Sequence, residues 1–301
     1  MKGMKNLFLL GSVLGVMACA ANSFAAPPSV FLVGDGGQAC ALLNQFPVSY
    51  NFLNDDYSVT STVAPVAFQK GNNELTVHFS AKTKARYIVN LRDFPHVEDL
   101  TYVVELGEKP QDGGRSVGVE IGIGEAKKTF SFTIPPDQHG TFQTEKGEAV
   151  FKKLPEQFTE FDTTLSISFE NPNSELEQVP WKEAPPATPQ ALEPIRKTVK
   201  SYVEAMNSGD LEQIAESLSL RWQLEEKAGG VTVAKRREAI AKFLASGQAL
   251  KMKGEVKTFV TFPQSPVALI AEQQISMLRA GREVFPQLYL MPSKEGWKII
   301  Q

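Results

Sequence analysis

Cysteine, at two, and histidine and tryptophan, at three each, are the scarce residues of this 301-residue chain. Two cysteines cannot staple a disulfide framework. Cys19 falls in the N-terminal apolar segment, so removal of that segment leaves Cys40 alone and excludes an intramolecular disulfide. Cys40 sits in the apolar run Gln38–Leu43, where a thiol reads as a small packed hydrophobe. The histidines are His78, His96 and His139, and none has the paired His or Cys spacing of a zinc site. The nearest approaches, His96-Val97-Glu98-Asp99 and Asp137-Gln138-His139, read as polar turns. No metal and no cofactor is expected. Residues 190–301 contain no histidine, and their only Asp is Asp210, so acid–base chemistry there would fall to glutamate. Beyond the N-terminus no apolar run is long enough for a transmembrane helix. Neither sign of charge dominates, since the formal net charge is −3. Basic residues lack interleaved aromatics, which argues against nucleic acid.

Hydrophobic content of 42% and charged content of 22% suit a soluble globular protein, and the length suits two domains. The start reads as an address. Lys2 and Lys5 precede the apolar run Phe8–Ala20, and Ser23-Phe24-Ala25 offers a signal-peptidase site. A signal peptide over residues 1–25 and an exported, periplasmic chain are expected. Val16-Met17-Ala18-Cys19 is a rival: an imperfect lipobox, with Val where Leu is usual, that would make Cys19 a lipidated membrane anchor.

Residues 26–179 show period-two alternation, the signature of strands with one face in a core. It runs through Leu75–Phe79, Leu100–Leu106, Val117–Ile123, Phe130–Phe132 and Leu165–Phe169. Asp35-Gly36-Gly37, Gly71-Asn72-Asn73 and Asp112-Gly113-Gly114 mark turns between them. Gly37–Phe46 is read as the one short helix. Gly118, Gly122 and Gly124 leave one strand face bare, for close packing or a bulge. An antiparallel β-sandwich is expected.

Prolines at 180, 185, 186, 189 and 194 then form a semi-rigid spacer, set as a linker over 180–192. In residues 193–301 the pattern changes. Ile195, Val199, Tyr202, Val203 and Met206 form one helical stripe, and Asn207-Ser208-Gly209 ends it. Asp210 with Gln213 reads as a capping box opening a second helix through Leu220. Arg221–Gly230 reads as a connector. Thr232 caps a third helix, with Ile240, Phe243 and Leu244 inward and Gly247 as its stop. Four strands follow near 255–262, 267–278, 283–291 and 297–300, giving an α+β domain with three helices on a bent antiparallel sheet.

The turn Tyr202–Leu211, the helix Arg237–Gly247 and the closing Glu295–Ile300 resemble the nuclear transport factor 2-like superfamily, with its SnoaL-like and ketosteroid-isomerase-like members. The resemblance covers the last third of the chain. It implies a cone with a pocket between sheet and helices, and no particular activity. Enzymes of this kind work with an Asp or His base inside the cone; here there is no His, and the only Asp, Asp210, is explained by the helix cap. Glu272, alternating with Ile270 and Gln274, is the sole carboxylate on a sheet that could serve, and its ordinary reading is a solvated strand residue.

Tyr202, Trp222 and Tyr289 are pocket candidates, because aromatics with a polar tip suit a small apolar ligand; their alternative is core packing. Lys235, Arg236 and Arg237 are candidates for a partner-binding patch; their alternative is a solvated helix face. Residues 190–301 carry sixteen Lys plus Arg against twelve Asp plus Glu, hence +4, while residues 26–189 carry thirteen against twenty-two, hence −9. The expectation is a non-catalytic binding or assembly protein of the envelope that takes a small ligand or a protein partner. The alternative is a small-molecule isomerase or dehydratase using Glu272.

Overall fold

Alternation becomes strand wherever one face finds a core, and the structure is mostly β. The computed structural model describes residues 27–51, 56–94, 99–108, 114–123, 125–134, 140–145, 148–153, 163–182, 184–245, 251–270, 273–279 and 282–300. The segment expected to be a signal peptide, with Cys19, lies outside them, as do His96, Gly124, His139, Gly247 and Glu272. The chain divides into two compact units: one holds residues 27–186 with Phe262–Val267, the other Ala187–Thr261 with Ala268–Gln301.

The first unit contains strands β1 (Ser29–Asp35), β2 (Gln38–Leu43), β3 (Phe46–Asn51), β4 (Tyr57–Thr62), β5 (Gly71–Ser80) and β6 (Ala85–Arg92). After them come β7 (Leu100–Leu106), β8 (Arg115–Ile123), β9 (Ala126–Ile134), β10 (Gly140–Glu145), β11 (Glu148–Lys153) and β12 (Thr163–Asn171). They form two six-stranded sheets, ordered β4-β1-β6-β7-β8-β9 and β11-β10-β12-β5-β2-β3. Every pairing is antiparallel except β10 with β12, which run parallel. Inner rows from both sheets are buried, among them Leu32, Val89 and Val104 on one and Ala41, Val77 and Leu165 on the other. Each large aliphatic side chain so removed from water contributes about 1.5–3 kcal/mol. The rings of Phe79 and Tyr87 meet at 4.7 Å, joining a strand of each sheet.

Two local readings are corrected here. Gly37–Phe46 is no helix: it is β2 and the turn into β3, with Asn44 and Gln45 both left-handed, at φ 48° and 69°. The turn holds because Asn44 is bonded on every side. Its amide donates to Ala67 O and Asn73 Oδ1, both at 2.8 Å, and its Oδ1 accepts from Glu74 N at 3.0 Å. The glycines of β8 mark no bulge, since register with β7 is continuous from Leu100 to Leu106. A methyl group at Gly118 or Gly122 would meet only ordinary contacts. The second residue of the stretch read as a linker, Trp181, is fully buried, lies 5.3 Å from the Phe46 ring and donates its indole N–H to Asn44 O at 2.7 Å.

Among the described residues the second unit has four helices, α1 (Leu192–Ser208), α2 (Leu211–Ser217), α3 (Ser219–Lys227) and α4 (Val233–Ala245). It continues with β13 (Lys251–Gly254), β14 (Phe259–Thr261), β15 (Ala268–Ile270), β16 (Ile275–Arg279), β17 (Arg282–Val284), β18 (Tyr289–Ser293) and β19 (Gly296–Ile299). Of the four strands expected from the sequence, those near 267–278 and 283–291 are each broken in two, and that near 255–262 shrinks to β14 with β13 lying ahead of it; the pieces sort into two sheets, β13-β16-β17 and β14-β15-β18-β19. The break has a physical cause. Gly254 sits at φ +124°, where an added methyl group would strike the Gln274 carbonyl oxygen. The Gln274 side chain then takes the backbone groups that a continuous ladder would pair: Oε1 accepts from Lys257 N and from Thr258 N (2.9 Å), and Nε2 donates to Thr258 O at 2.7 Å. One apolar cluster occupies the interior of this unit, running from Ile195, Val199 and Tyr202 of α1 to Met252, Ile270, Met277 and Leu290 of the sheets.

Candidate functional site

The end of α1 positions everything that follows. Gly209 is left-handed at φ 72°, and its N–H and that of Asp210 (3.0 Å) both go to Ala205 O. Asp210 Oδ1 accepts from Gln213 N at 3.1 Å and caps α2. The reverse half of the expected capping box is not needed, because the Asp210 N–H already has its acceptor. Asn207 is helical, and its side chain has another task. Its Nδ2 donates to Met252 O and its Oδ1 accepts from Met252 N, both at 2.8 Å, so it closes the outer edge of β13.

α2 lasts seven residues, and the chain restarts at Ser219 as α3. The segment read as a connector is therefore helical for most of its length. α2, α3 and α4 surround a cleft of about 660 Å³. Trp222, 3% exposed, lies at its floor with Ala215; Asp210, Glu216, Ser219 and Gln223 line the walls, and Val233 and Arg237 of α4 close one side.

Of the sequence-predicted pocket residues, Trp222 lines this cleft. Tyr202 lies in the buried cluster, where burial raises its hydroxyl pKa and the Arg221 charge works weakly against that. Tyr289 is buried on β18. The three are not brought to one cavity wall. Glu272 is outside the described residues.

Arg236 and Arg237 of α4 are paired inside the unit. Arg236 Nε lies 2.9 Å from Glu225 Oε2, an ion pair without hydrogen-bond alignment, and Glu225 Oε1 accepts from Arg221 Nε at 2.9 Å. Arg237 pairs with Glu212 of α2. Lys235 is exposed. Reasoning from the sequence missed Ser219 and Gln223 as cleft-lining residues and Glu225 as the partner of Arg221 and Arg236. Their signal was present in the four-residue spacings Leu218–Trp222, Leu220–Leu224 and Arg221–Glu225.

A second group of polar side chains crosses the first unit. Cys40, His78 and Thr164 are register neighbours on β2, β5 and β12. His78 Nδ1 is 3.0 Å from Thr164 Oγ1. Burial lowers the His78 pKa to about 3 and pushes the Cys40 thiol far up, with the His78 backbone N–H pulling weakly the other way. A neutral imidazole and an un-ionised thiol, both buried, make a structural row and not a nucleophile with its base.

Among the described residues no three His, Cys, Asp or Glu side chains gather as a ligand set. No helix there is long and apolar enough to cross a membrane. No family model, curated protein or solved structure matches the chain.

Proposed function

We propose that this is an exported, periplasmic protein that binds or assembles and does no chemistry of its own. In this reading residues 26–179 form a β-sandwich and residues 193–301 a cone of the SnoaL-like kind. The cleft over Trp222 receives a small ligand or a segment of an envelope protein partner. The observation that carries the reading is the cleft itself. Its volume falls in the range of about 300–1,000 Å³ usual for ligand sites, and an indole at the floor with short polar walls is a common binding surface. Of the carboxylates that line it, Asp210 caps α2 and Glu212 holds a guanidinium group, while Glu216 is an exposed side chain on the wall.

Ser219→Trp fills the cleft from a half-buried wall position without cutting into the core. A panel of small molecules is screened by thermal shift against the mature chain. A true ligand at 100 times its Kd stabilises the folded state by about 2.7 kcal/mol. The gain is expected in wild type and in Glu272→Gln, and lost in Ser219→Trp. A gain that survives Ser219→Trp places the ligand elsewhere. Turnover that disappears in Glu272→Gln replaces this reading with the enzyme one.

A further inference from the structure

We infer that α4 is a salt-latched lid, able to leave the α2–α3 surface as a rigid rod while the rest of its unit stays folded. Four observations converge on it. First, among the helices of the described residues α4 is the one without a buried residue. α1 buries Ile195, Val199, Tyr202, Ala205 and Met206, and even the shorter α2 and α3 each bury two. The apolar side chains of α4, namely Val233, Ile240, Phe243 and Leu244, are only partly covered where they meet the core.

Second, the latch is ionic. Arg236 reaches Glu225, which Arg221 also holds, and Arg237 reaches Glu212. These pairs join α4 to α3 and to α2. The Arg221, Glu225 and Arg236 side chains are 20%, 18% and 21% exposed, so their attraction exceeds that of a surface pair yet stays open to screening.

Third, both helix ends beside the pivot are satisfied independently of the docked position. α3 ends with Gly229 left-handed at φ 76°, its N–H on Glu226 O (3.1 Å) and the Gly230 N–H on Glu225 O (2.8 Å). That is a complete Schellman closure. α4 begins with Thr232 Oγ1 accepting from Lys235 N at 3.3 Å. Rotation between the two caps, around Gly230 and Val231, therefore breaks no backbone bond of either helix.

Fourth, α4 supplies Val233 and Arg237 to the cleft wall, so its departure opens the cleft along one side. The inference stands apart from what the cleft takes, because the lid moves in the empty protein.

Hydrogen exchange on the full mature chain tests it, with α1 as internal reference. At low salt, α4 amides should exchange at least about tenfold faster than those of α1, through local opening. Raising salt from 0.05 M to 1 M shortens the screening length to about 3 Å, and α4 should then open about fivefold more often while α1 does not change. Glu225→Gln should reproduce the high-salt behaviour at low salt. Equal protection of α1 and α4 overturns the inference. So does acceleration of both together, which would mark loosening of the whole unit. If Glu225→Gln fails to fold, the salt series on the unaltered chain still decides.

Discussion

Protonating His78 means placing a charge where water does not reach, and this gives the first unit an acid limit. The folded-state pKa is about 3 and the ordinary value 6.5, so the unfolded chain binds the proton first as pH falls. The stabilisation is whole above pH 6.5 and is lost progressively as pH drops toward 3. The full loss is roughly 4–5 kcal/mol. His78→Gln retains a partner for Thr164 and has no proton to gain. Urea unfolding at pH 7 and pH 4 should show wild type losing roughly 3 kcal/mol more than His78→Gln. Equal losses would mean that the ring is reached by water.

At the scale of elements, Gly254 and Gln274 decide where one sheet ends and the next begins. Gly254 and Gly296 both have positive φ, at +124° and +108°, but only Gly254 faces backbone, while nothing lies within 4 Å of a methyl group at Gly296. Gly254→Ala should cost roughly 2–4 kcal/mol and Gly296→Ala about 1 kcal/mol, read from chemical denaturation. Equal costs would show that the neighbouring chain yields, so that backbone angle alone matters. This pair also shows what the sequence conceals. Alternation from Leu100 to Leu106 is a local pattern, and β7 lies there. The broken strands were not legible, because the break depends on a Gln274 side chain bonding Lys257 and Thr258 sixteen or more residues away. The Asn44–Gln45 turn lacks the glycine that usually announces a left-handed pair, and its support comes from Ala67, Asn73 and Glu74. α3 escaped notice because it is polar on most of its surface, with Trp222 and Leu224 as its buried residues. The candidate site was therefore legible at Trp222 and Asp210 and hidden in between. The basic run of α4 was legible as charge, but its carboxylate partners on α2 and α3 are visible only in three dimensions.

For the whole molecule, the chain passes between its two units three times among the described residues, near residues 186, 261 and 267. It carries −9 over residues 26–189 and +4 over 190–301. The export proposal predicts a mature chain starting at Ala26, read by intact mass of the secreted protein. A diacylglycerol adduct on Cys19 would instead make it an anchored lipoprotein. The central claim is that the cleft over Trp222 binds and does not catalyse. Gln223 is exposed on its wall, and Glu170 is an exposed position in the first unit. A photo-crosslinking residue at each, in the protein expressed in its own cell envelope, tests that claim most directly. The account predicts one recurrent adduct from position 223, a small molecule or an envelope protein, none from position 170, and an unchanged adduct in the Glu272→Gln background. No adduct at position 223, together with a substrate turnover that Glu272→Gln abolishes, would contradict it.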